Sequence, residues 1–526
     1  MGLLLGAIGV LCVYMVVKVL DVLWWRPKRL EELFATQGIK GPPYRFFVGC
    51  VKEMVELMVE ASKKPMMPQT SHNILPRVLS FYHHWKKMYG STFVIWFGPT
   101  PRLAIADPDL IREIFVSRSD HFDRYEAHPM VRQLEGDGLT NLHGPKWALH
   151  RRVLSPAFHP DNLKLLIPFI GKTVVDMAEK LSEDMSPSGE VEIDVSEWFH
   201  VVAEDAITRA AFGPSYDDGK AVFRLQNQLM GFASEAFRKV FIPGYRFLPT
   251  KRNKICWRLD REIRKNLVKL INRRRDDFDV AEKQNLHEGD CTKDLIGLMI
   301  GAGGNTGGCV VPPPLARPIT VHDIVEECKT FFFAGKQTTS NLLTWTTVLL
   351  AMHPEWQERA RAEVLRVCGS RDVPTPDQLP KLKTLGMILN ETLRLYPPVV
   401  ATIRRAKSEV ELGGRVIPRG TEILIPIMAV HHDPLLWGPD AARFEPGRFE
   451  SGAARAGRHP MAFLPFGLGA RTCIGQNLAL LEAKLAAAIL LQRFSLRASP
   501  NYVHAPTVLM LLYPQHGAPV IFRALS

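Results

Sequence analysis

The residues from Phe466 to Gly475 read FGLGARTCIG and place Cys473 between a glycine-rich loop and an apolar helical segment. Free backbone N–H groups at the N-terminus of a helix favour the thiolate form of a nearby cysteine. Such a thiolate can be a nucleophile or an iron ligand, but a nucleophile would need a histidine or a second cysteine in a recognisable setting nearby. We therefore interpret Cys473 as an iron ligand. Gly467 and Gly469 would let the loop backbone approach a flat partner closely.

A second candidate site lies in the middle of a long helix that the apolar spacing predicts over Val321–Met352. Thr320 and Asp323 form a capping-box pair at its start. In the segment AGKQTT, Gly335 leaves room for a bulky group against the helix. The hydroxyl of Thr338 can bond the carbonyl of Ala334 four residues earlier, which we expect to open the helix locally.

Charged residues elsewhere in the sequence have spacings that suggest burial. Glu391 and Arg394 lie one turn apart on a predicted helix that is otherwise strongly apolar. A buried pair of this kind requires a further partner. Trp147 and Arg151, spaced WxxxR, share one face of another helix. Taken alone, a WxxxR spacing is usually explained by packing and surface charge.

The string around Cys473 resembles the haem-binding signature of the cytochrome P-450 family, FxxGxRxCxG, which begins here at Phe466. This resemblance implies that Cys473 is the proximal ligand of a haem b iron and that Arg471 pairs with a haem propionate. The segment AGKQTT is similar to the oxygen-activating groove AGx(D/E)T(T/S), with Thr338 as the hydroxyl beside dioxygen. Gln337 stands where an acid is usual, and its neutral amide can position water but cannot shuttle protons as a carboxylate can.

The resemblance extends to the other three patterns and assigns a role to each. Phe466, Ala334 and Gly335 would contact the cofactor, the last two as part of the groove. Trp147, Arg151 and Arg404 would contact the haem propionates. The remaining residues implied by the resemblance are a structural triad that shapes the underside of the haem: Glu391, Arg394 and Arg448.

The predicted fold is mainly α, with a large helical domain and a small β-rich subdomain that enclose the haem. Predicted helices cover 162–185, 260–278, 321–352, 354–368 and 476–494, and short strands cover 92–97, 102–106, 409–412 and 422–427. We divide the chain into a transmembrane anchor at 1–25, a basic and proline-containing hinge at 26–43, and a haem-thiolate monooxygenase domain at 44–526. A glycine- and proline-rich stretch at 301–318 is interpreted as a flexible insert within that domain.

The first 25 residues predict a membrane anchor. No charged residue occurs in 2–17, and 24 apolar-rich residues reach about 36 Å as a helix, enough to cross a bilayer core of about 30 Å. Lys18 and Asp21 can pair on one face of that helix. The segment lacks the basic start and cleavage site of a signal peptide. Arg26, Lys28 and Arg29 predict a cytosolic catalytic domain on a single-pass protein, which the resemblance places in the endoplasmic reticulum membrane.

The overall charge is basic, with 66 Lys and Arg against 54 Asp and Glu in 526 residues, or a formal charge of +12. No basic run with interleaved aromatic residues supports nucleic-acid binding. Part of the excess would face anionic lipid, and part would be available to steer an acidic flavoprotein. The eight cysteines contain no CxxC pair, so a zinc ribbon or a disulfide framework is not expected.

The strings FFFAGKQTTSNLLTW, ETLRLYPPVVATIRRAK and HAPTVLMLLYPQHGAP are similar to those of plant cytochromes P-450 that inactivate brassinosteroids by 26-hydroxylation. This implies a monooxygenase that inserts one oxygen atom of O2 into an unactivated C–H bond, with electrons from NADPH through a flavin reductase. The alternatives are another hydrophobic plant substrate, a haem-thiolate isomerase, or a non-enzymatic membrane-tethered protein that binds haem or lipid. The residues expected to line an apolar substrate pocket are Phe331, Phe332, Val399, Val400, Thr402 and Leu509.

Overall fold

The fold is mainly helical, with four small β-sheets. The computed structural model describes residues 2–64, 66, 71–213, 216–236, 245–283, 294–303 and 319–525. Its α-helices, numbered α1 to α20, are Gly2–Leu20, Arg26–Thr36, Val51–Lys63, Leu75–Val78, Ser80–Tyr89, Pro108–Arg112, Pro129–Glu135, Gly144–Leu154, Pro160–Lys164, Ile167–Glu183, Val195–Phe212, Tyr216–Ala236, Lys251–Lys283, Leu295–Gly303, Val321–Met352, Pro354–Cys368, Lys383–Leu395, Ile427–His431, Pro434–Trp437 and Gln476–Arg493. The mainly α prediction is therefore confirmed.

The strands are short and gather in small sheets. Strands β1 to β12 are Thr92–Phe97, Thr100–Ile105, Phe122–Arg124, Glu190–Asp194, Thr402–Ala406, Val410–Leu412, Arg415–Ile417, Glu422–Ile425, Phe494–Ala498, Pro506–Val508, Leu512–Pro514 and Pro519–Ala524. The largest sheet has the order β1-β2-β8-β5-β3, in which only β2 and β8 are parallel. The next, β4-β12-β9, joins the C-terminus to the strand that precedes α11.

Helix α15 runs through the hydrophobic core and packs against α7, α11, α13, α17 and α20. Its observed bounds, Val321–Met352, are those predicted. The predicted capping box is present: the hydroxyl of Thr320 accepts from the backbone N–H of Asp323 at 3.2 Å, and the carboxylate of Asp323 accepts from the N–H of Thr320 at 3.0 Å. Because most of its residues are buried, this helix can hold side chains rigidly at the centre of the domain.

Prolines account for two differences from the predicted elements. The helix predicted over 162–185 is split into α9 and α10, since Pro168 has no N–H to donate to the carbonyl of Lys164 and its ring would clash with that group. The strand predicted over 422–427 ends at Ile425 because Pro426 follows it.

The N-terminal helix continues beyond the predicted anchor. Helix α1, a π-helical turn at Asp21–Trp25 and α2 follow one another without a break, and Leu4–Thr36 contains an apolar stretch long enough to cross a membrane. The predicted Lys18–Asp21 pair is wrong, because Asp21 accepts from Arg29 at 2.7 Å. A π-turn uses about 4.4 residues rather than 3.6, so eight residues complete two turns here and bring those two groups onto one face.

The end of this helix is fixed to the rest of the domain. Phe34 is fully buried, and the Glu31 carboxylate accepts from the backbone N–H of Tyr44 at 2.7 Å. Gln37 bonds both backbone groups of Val416, at 3.1 and 2.6 Å. Of the predicted hinge at 26–43, residues 26–36 are thus helical. Of the predicted insert at 301–318, residues 304–318 lie outside the described residues.

Candidate functional site

Cys473 lies at the end of a closed loop, three residues before α20 begins at Gln476. Its backbone N–H donates to the carbonyl of Phe466 at 2.9 Å, and the hydroxyl of Thr472 donates to the same oxygen at 3.3 Å. The Cys473 side chain is accessible to solvent although protein surrounds it. An incoming group can therefore reach the sulfur.

Burial raises the pKa of the Cys473 thiol above its ordinary value, while the N–H groups of Gly475 and Gln476 and the charge of Arg151 act in the opposite direction. The N–H groups near the helix N-terminus thus favour the thiolate, as expected, but desolvation outweighs them and leaves the pKa of the thiol raised. A bound metal cation would supply the missing stabilisation, since a coordinated thiol loses its proton.

Of the two loop glycines, Gly469 has a different role from the one expected, while the expectation for Gly467 stays a prediction. Gly467 and Gly469 adopt φ values of +72° and +68°, which suit glycine. A Cβ on Gly469 would lie 2.2 Å from the carbonyl oxygen of Phe115, so the close partner of this glycine is protein backbone rather than a flat cofactor. The absence of a side chain lets the cysteine loop pack on the π-helical turn Glu113–Ser117.

Arg471 connects the loop to the segment around α8. Its guanidinium donates to the carbonyl of Leu142 at 2.9 Å, lies 3.5 Å from the carboxylate of Asp123, and stacks 4.5 Å above the ring of Trp147. The structure thus brings Trp147 and Arg471 together. Arg151 lies one helical turn beyond Trp147 and donates to the carbonyl of Thr472 at 2.9 Å, directly beside Cys473.

A third arginine, Arg404, enters the same region from β5. Its guanidinium stacks 4.6 Å from the ring of Phe115. Burial, and then the charges of Arg124 and Arg471, lower the pKa of Arg404 to about 10. Arg124 stands opposite Arg404 in the β3–β5 pairing. Arg124 and Asp123 could not be predicted from the sequence, because a single basic or acidic residue in a three-residue strand forms no recognisable motif.

These groups fit a haem. Arg124, Arg404 and Arg471 share only two carboxylates with which the structure shows contacts, those of Asp123 and Glu135, and no described residue accepts from the Nε of Arg124. Such a cluster favours additional negative charge, and the two propionates of haem would supply it. The accessible sulfur of Cys473 would supply the axial ligand. Arg124 thus joins Arg151, Arg404 and Arg471 as a fourth arginine suited to the propionates.

The helix α15 carries Thr338 as predicted. Its hydroxyl donates to the carbonyl of Ala334 at 2.6 Å. The expected local opening is not seen, because α15 is assigned as α-helix without interruption. A Cβ on Gly335 would lie 2.5 Å from Cγ1 of Ile207, so the space left by Gly335 is taken by α11. Gln337 lies near Thr338 in sequence and lines a small cavity.

The predicted triad is assembled and buried. Glu391 and Arg394, both fully buried, form two parallel hydrogen bonds of 2.7 Å. Nε of Arg448 lies 3.6 Å from the Glu391 carboxylate, which is an ion pair but too long for a hydrogen bond. Arg448 instead bonds Asp440, a partner that the sequence did not reveal. Arg394 also donates to the carbonyls of His431 and Ala441 at 2.9 and 2.7 Å.

The residues predicted to line a substrate pocket occupy different environments. The ring of Phe331 stacks on Phe158 at 5.4 Å, and the ring of Phe332 packs 4.3 Å from that of Phe223. Val400 is buried and its carbonyl accepts from the N–H of Met428. The other three are partly buried: Val399, Thr402 and Leu509. The two phenylalanines therefore also belong to the packed core of the domain.

Comparison with known proteins gives the family. The cytochrome P450 family model matches residues 67–518. The chain is 70% identical over 517 residues to cytochrome P450 734A6 of Oryza sativa subsp. japonica, covering 98% of this chain and 94% of the relative. It is 62% identical over 519 residues to cytochrome P450 734A1 of Arabidopsis thaliana, covering 99% and 96%. It is 39% identical to secologanin synthase 2 of Catharanthus roseus, covering 97% and 94%.

These matches explain the features assembled above. A cysteine thiol accessible within the fold, a cluster of arginines suited to two propionates and a threonine on the central helix are the parts that this family uses. Members bind haem b and receive electrons from NADPH through a reductase. The sequence prediction of a haem-thiolate monooxygenase is thereby confirmed. The chain belongs to the cytochrome P450 family.

Proposed function

We propose that this protein inactivates brassinosteroids by hydroxylating the end of their side chain, as an endoplasmic reticulum membrane protein whose catalytic domain faces the cytosol. Its identity of 59% to 70% to several cytochromes P450 named 734A, over nearly the whole chain, supports this assignment most strongly. In this proposal the apolar side chains of Phe331, Val399 and Val400 would contact the steroid. NADPH–cytochrome P450 reductase would be the redox partner, guided by the basic surface charge.

Within this proposal, the Cys473 thiolate would bind the haem iron, and Arg471, Arg404, Arg151, Arg124 and Trp147 would hold the propionates. Arg151 has a second task, because its bond to Thr472 holds the cysteine loop in place. Bound haem supplies oxygen activation and insertion, which no amino-acid side chain can perform. The protein contributes by orienting the substrate, by excluding bulk water and by delivering protons.

Thr338 is the proton-delivering residue in this proposal. In the structure its hydroxyl proton is directed to the carbonyl of Ala334, which leaves the lone pairs of the hydroxyl oxygen available to accept from water or from a bound ligand. Gln337 can hold a water molecule but adds no ionisable proton. Proton transfer at this point therefore depends on the Thr338 hydroxyl and on water.

The test uses the full-length protein in membranes with a plant reductase, NADPH, oxygen and castasterone. We expect a product with one additional oxygen atom, formed only when NADPH and oxygen are both present, and none from Cys473→Ala. A product from gibberellins, cytokinins, terpenoids or fatty acids but not from brassinosteroids would contradict the steroid assignment. Turnover without NADPH or oxygen would instead indicate an isomerase.

A further inference from the structure

The buried side-chain amide of Gln226, on α12, has hydrogen-bond acceptors for its nitrogen, but no described residue donates to its oxygen. Its side chain is 4% exposed. Nε2 donates to the carbonyl of Leu134 at 3.0 Å and to the carbonyl of Lys329 at 2.9 Å. These two acceptors use both amide hydrogens and fix the orientation of the group, because the reversed amide would place its oxygen against two carbonyl oxygens.

The other end of the amide has no partner among the described residues: nothing there donates to Oε1 of Gln226, which is buried. A buried amide oxygen without a donor is unfavourable, and proteins rarely leave one unpaired without a functional reason. Rotation of the amide would not pair this oxygen favourably, because it would bring the oxygen against the carbonyl oxygens of Leu134 and Lys329. Among the groups that the structure describes, none donates to this oxygen, so a water molecule or a hydroxyl group of a bound ligand can do so.

Gln226 lies in the wall of the small cavity between α12 and α15. Phe332, Phe333 and Gln337 form the α15 side of this cavity, and Phe332 is one of the residues expected to contact substrate. Gln337 directly precedes Thr338. The cavity therefore adjoins the helical turns that carry the groove residues. Its wall combines aromatic side chains with two amides and the side chain of Lys336, and it has room for about one water-sized group, such as a single hydroxyl of a ligand.

We propose that Oε1 of Gln226 accepts a hydrogen bond from a hydroxyl group of the substrate and so selects hydroxylated steroids over their deoxy analogues. This inference rests on the proposed function, since it assumes a hydroxyl-bearing steroid. Sites built to bond a hydroxyl discriminate strongly against ligands that lack it, because the partner in the protein is then left unpaired. Gln226 is thus a specificity residue, distant in sequence from every motif of the family signature.

The test is equilibrium dialysis of the full-length, haem-loaded protein with castasterone and with analogues in which each hydroxyl in turn is replaced by hydrogen. In the wild type we expect removal of one particular hydroxyl to weaken binding about tenfold. The ratio measured is the Kd of that deoxy analogue divided by the Kd of castasterone, and in Gln226→Met it should fall to about one. Any general loss of affinity caused by the broken bonds to Leu134 and Lys329 cancels, because the ratio is taken within each protein.

Two further variants complete the experiment. Gln226→Glu has the same length, and burial against two carbonyl oxygens should keep its carboxyl group protonated. The O–H then donates to one carbonyl and the other oxygen remains an acceptor, so the ratio should remain about tenfold, even if Gln226→Met fails to fold. Gln492→Met removes another buried amide whose Nε2 donates to two carbonyls, those of Gly369 and Asp372, and which does not line this cavity, so it should leave the ratio unchanged. An unchanged ratio in Gln226→Met, or its loss in Gln226→Glu, overturns this inference alone. Failure of castasterone to bind to the wild type overturns the proposed function and the inference together.

Discussion

The guanidinium of Arg151 donates to the carbonyl of Thr472 at 2.9 Å and so joins α8 to the residue before Cys473. The same charge lowers the pKa of the Cys473 thiol and partly offsets the effect of burial. One arginine thus both positions the cysteine loop and stabilises its thiolate. This relationship makes Arg151 more than a partner for a propionate.

Replacement of Arg151 should weaken haem retention by way of the cysteine. In Arg151→Gln the positive charge is lost, so the pKa of the Cys473 thiol should rise further and the retention of haem should fall about tenfold. Arg151→Lys keeps the charge and should retain most of the haem. The measurement is haem transfer to an excess of apomyoglobin, followed as a function of pH. Equal losses in both variants would contradict the electrostatic part of this argument.

Cys473→Ala should abolish the thiolate-type Soret band of the reduced carbon monoxide complex, because no other residue in the loop can supply a sulfur ligand. The control is Cys368→Ala, which alters a buried cysteine of α16. That variant should keep the band at wild-type intensity per folded protein. Absence of the band from the wild type would refute ligation by Cys473.

Thr338→Ala should uncouple NADPH consumption from product formation. Without the hydroxyl, proton delivery fails and we expect about tenfold less product per NADPH, within the range attributed to general acid catalysis. Thr346→Ala is a matched control, because Thr346 makes the same bond to a carbonyl four residues earlier, that of Leu342, at 2.8 Å in the same helix. Undiminished coupling in Thr338→Ala would exclude the proposed role.

The buried pair of Glu391 and Arg394 should dominate local stability. Glu391→Gln leaves a fully buried guanidinium without its counter-charge, which costs about 3–5 kcal/mol in the free energy of unfolding. Arg497→Gln breaks the exposed pair between Arg497 and Glu190 and should change the free energy of unfolding by less than about 1 kcal/mol. Urea unfolding of the two variants measures the difference. Similar small effects would show that the buried pair is dispensable for folding.

A histidine cluster should make the fold sensitive to acid. The ring of His72 bonds the hydroxyl of Tyr396 at 2.7 Å and the ring of His353 at 3.0 Å, and the same hydroxyl lies 3.1 Å from the ring of His504. Burial, and then the charges of neighbouring histidines, lower the pKa of His72 to about 3. The neutral form is therefore the one that the folded state accommodates.

The direction in which stability changes with pH follows from this lowered pKa. The unfolded chain takes up a proton on His72 near pH 6.5 and the folded chain does not, so stability is complete above about pH 6.5 and falls as the pH drops towards 3, by up to about 1.4 kcal/mol per pH unit. His72→Gln should reduce this slope between about pH 6 and 5. The exposed His84→Gln serves as the control. An unaltered slope in His72→Gln would contradict the prediction.

The accuracy of the sequence predictions depended on how local the determinants are. The bounds of α15 were correct because Thr320, Asp323 and the terminal His353–Pro354 act within one helical turn. The Thr338 bond to Ala334 was correct for the same reason. The role of Gly335 was misjudged, since the residue it contacts, Ile207, lies over a hundred positions away.

The cluster of Arg124, Arg404 and Arg471 also depends on contacts between residues that are distant in sequence. Arg404 and Arg471 were found through family motifs, but Arg124 reaches the cluster only by the pairing of β3 with β5. The pKa of Cys473 depends on how deeply the folded chain surrounds the sulfur, which no local spacing encodes. Likewise, the Asp21–Arg29 pair depends on a π-turn that an ordinary helical spacing does not anticipate.

The N-terminal helix is continuous from the apolar segment to the catalytic domain. Residues 4–25 are long and apolar enough to span a bilayer, and Glu31 and Gln37 hydrogen-bond the other end of the helix to the domain. A change in bilayer thickness alters the tilt of a spanning helix. With no loose joint before Thr36, that tilt is passed to the whole domain. In a protein anchored by this helix, the height and angle of the domain surface above the lipid would therefore follow the thickness of the membrane.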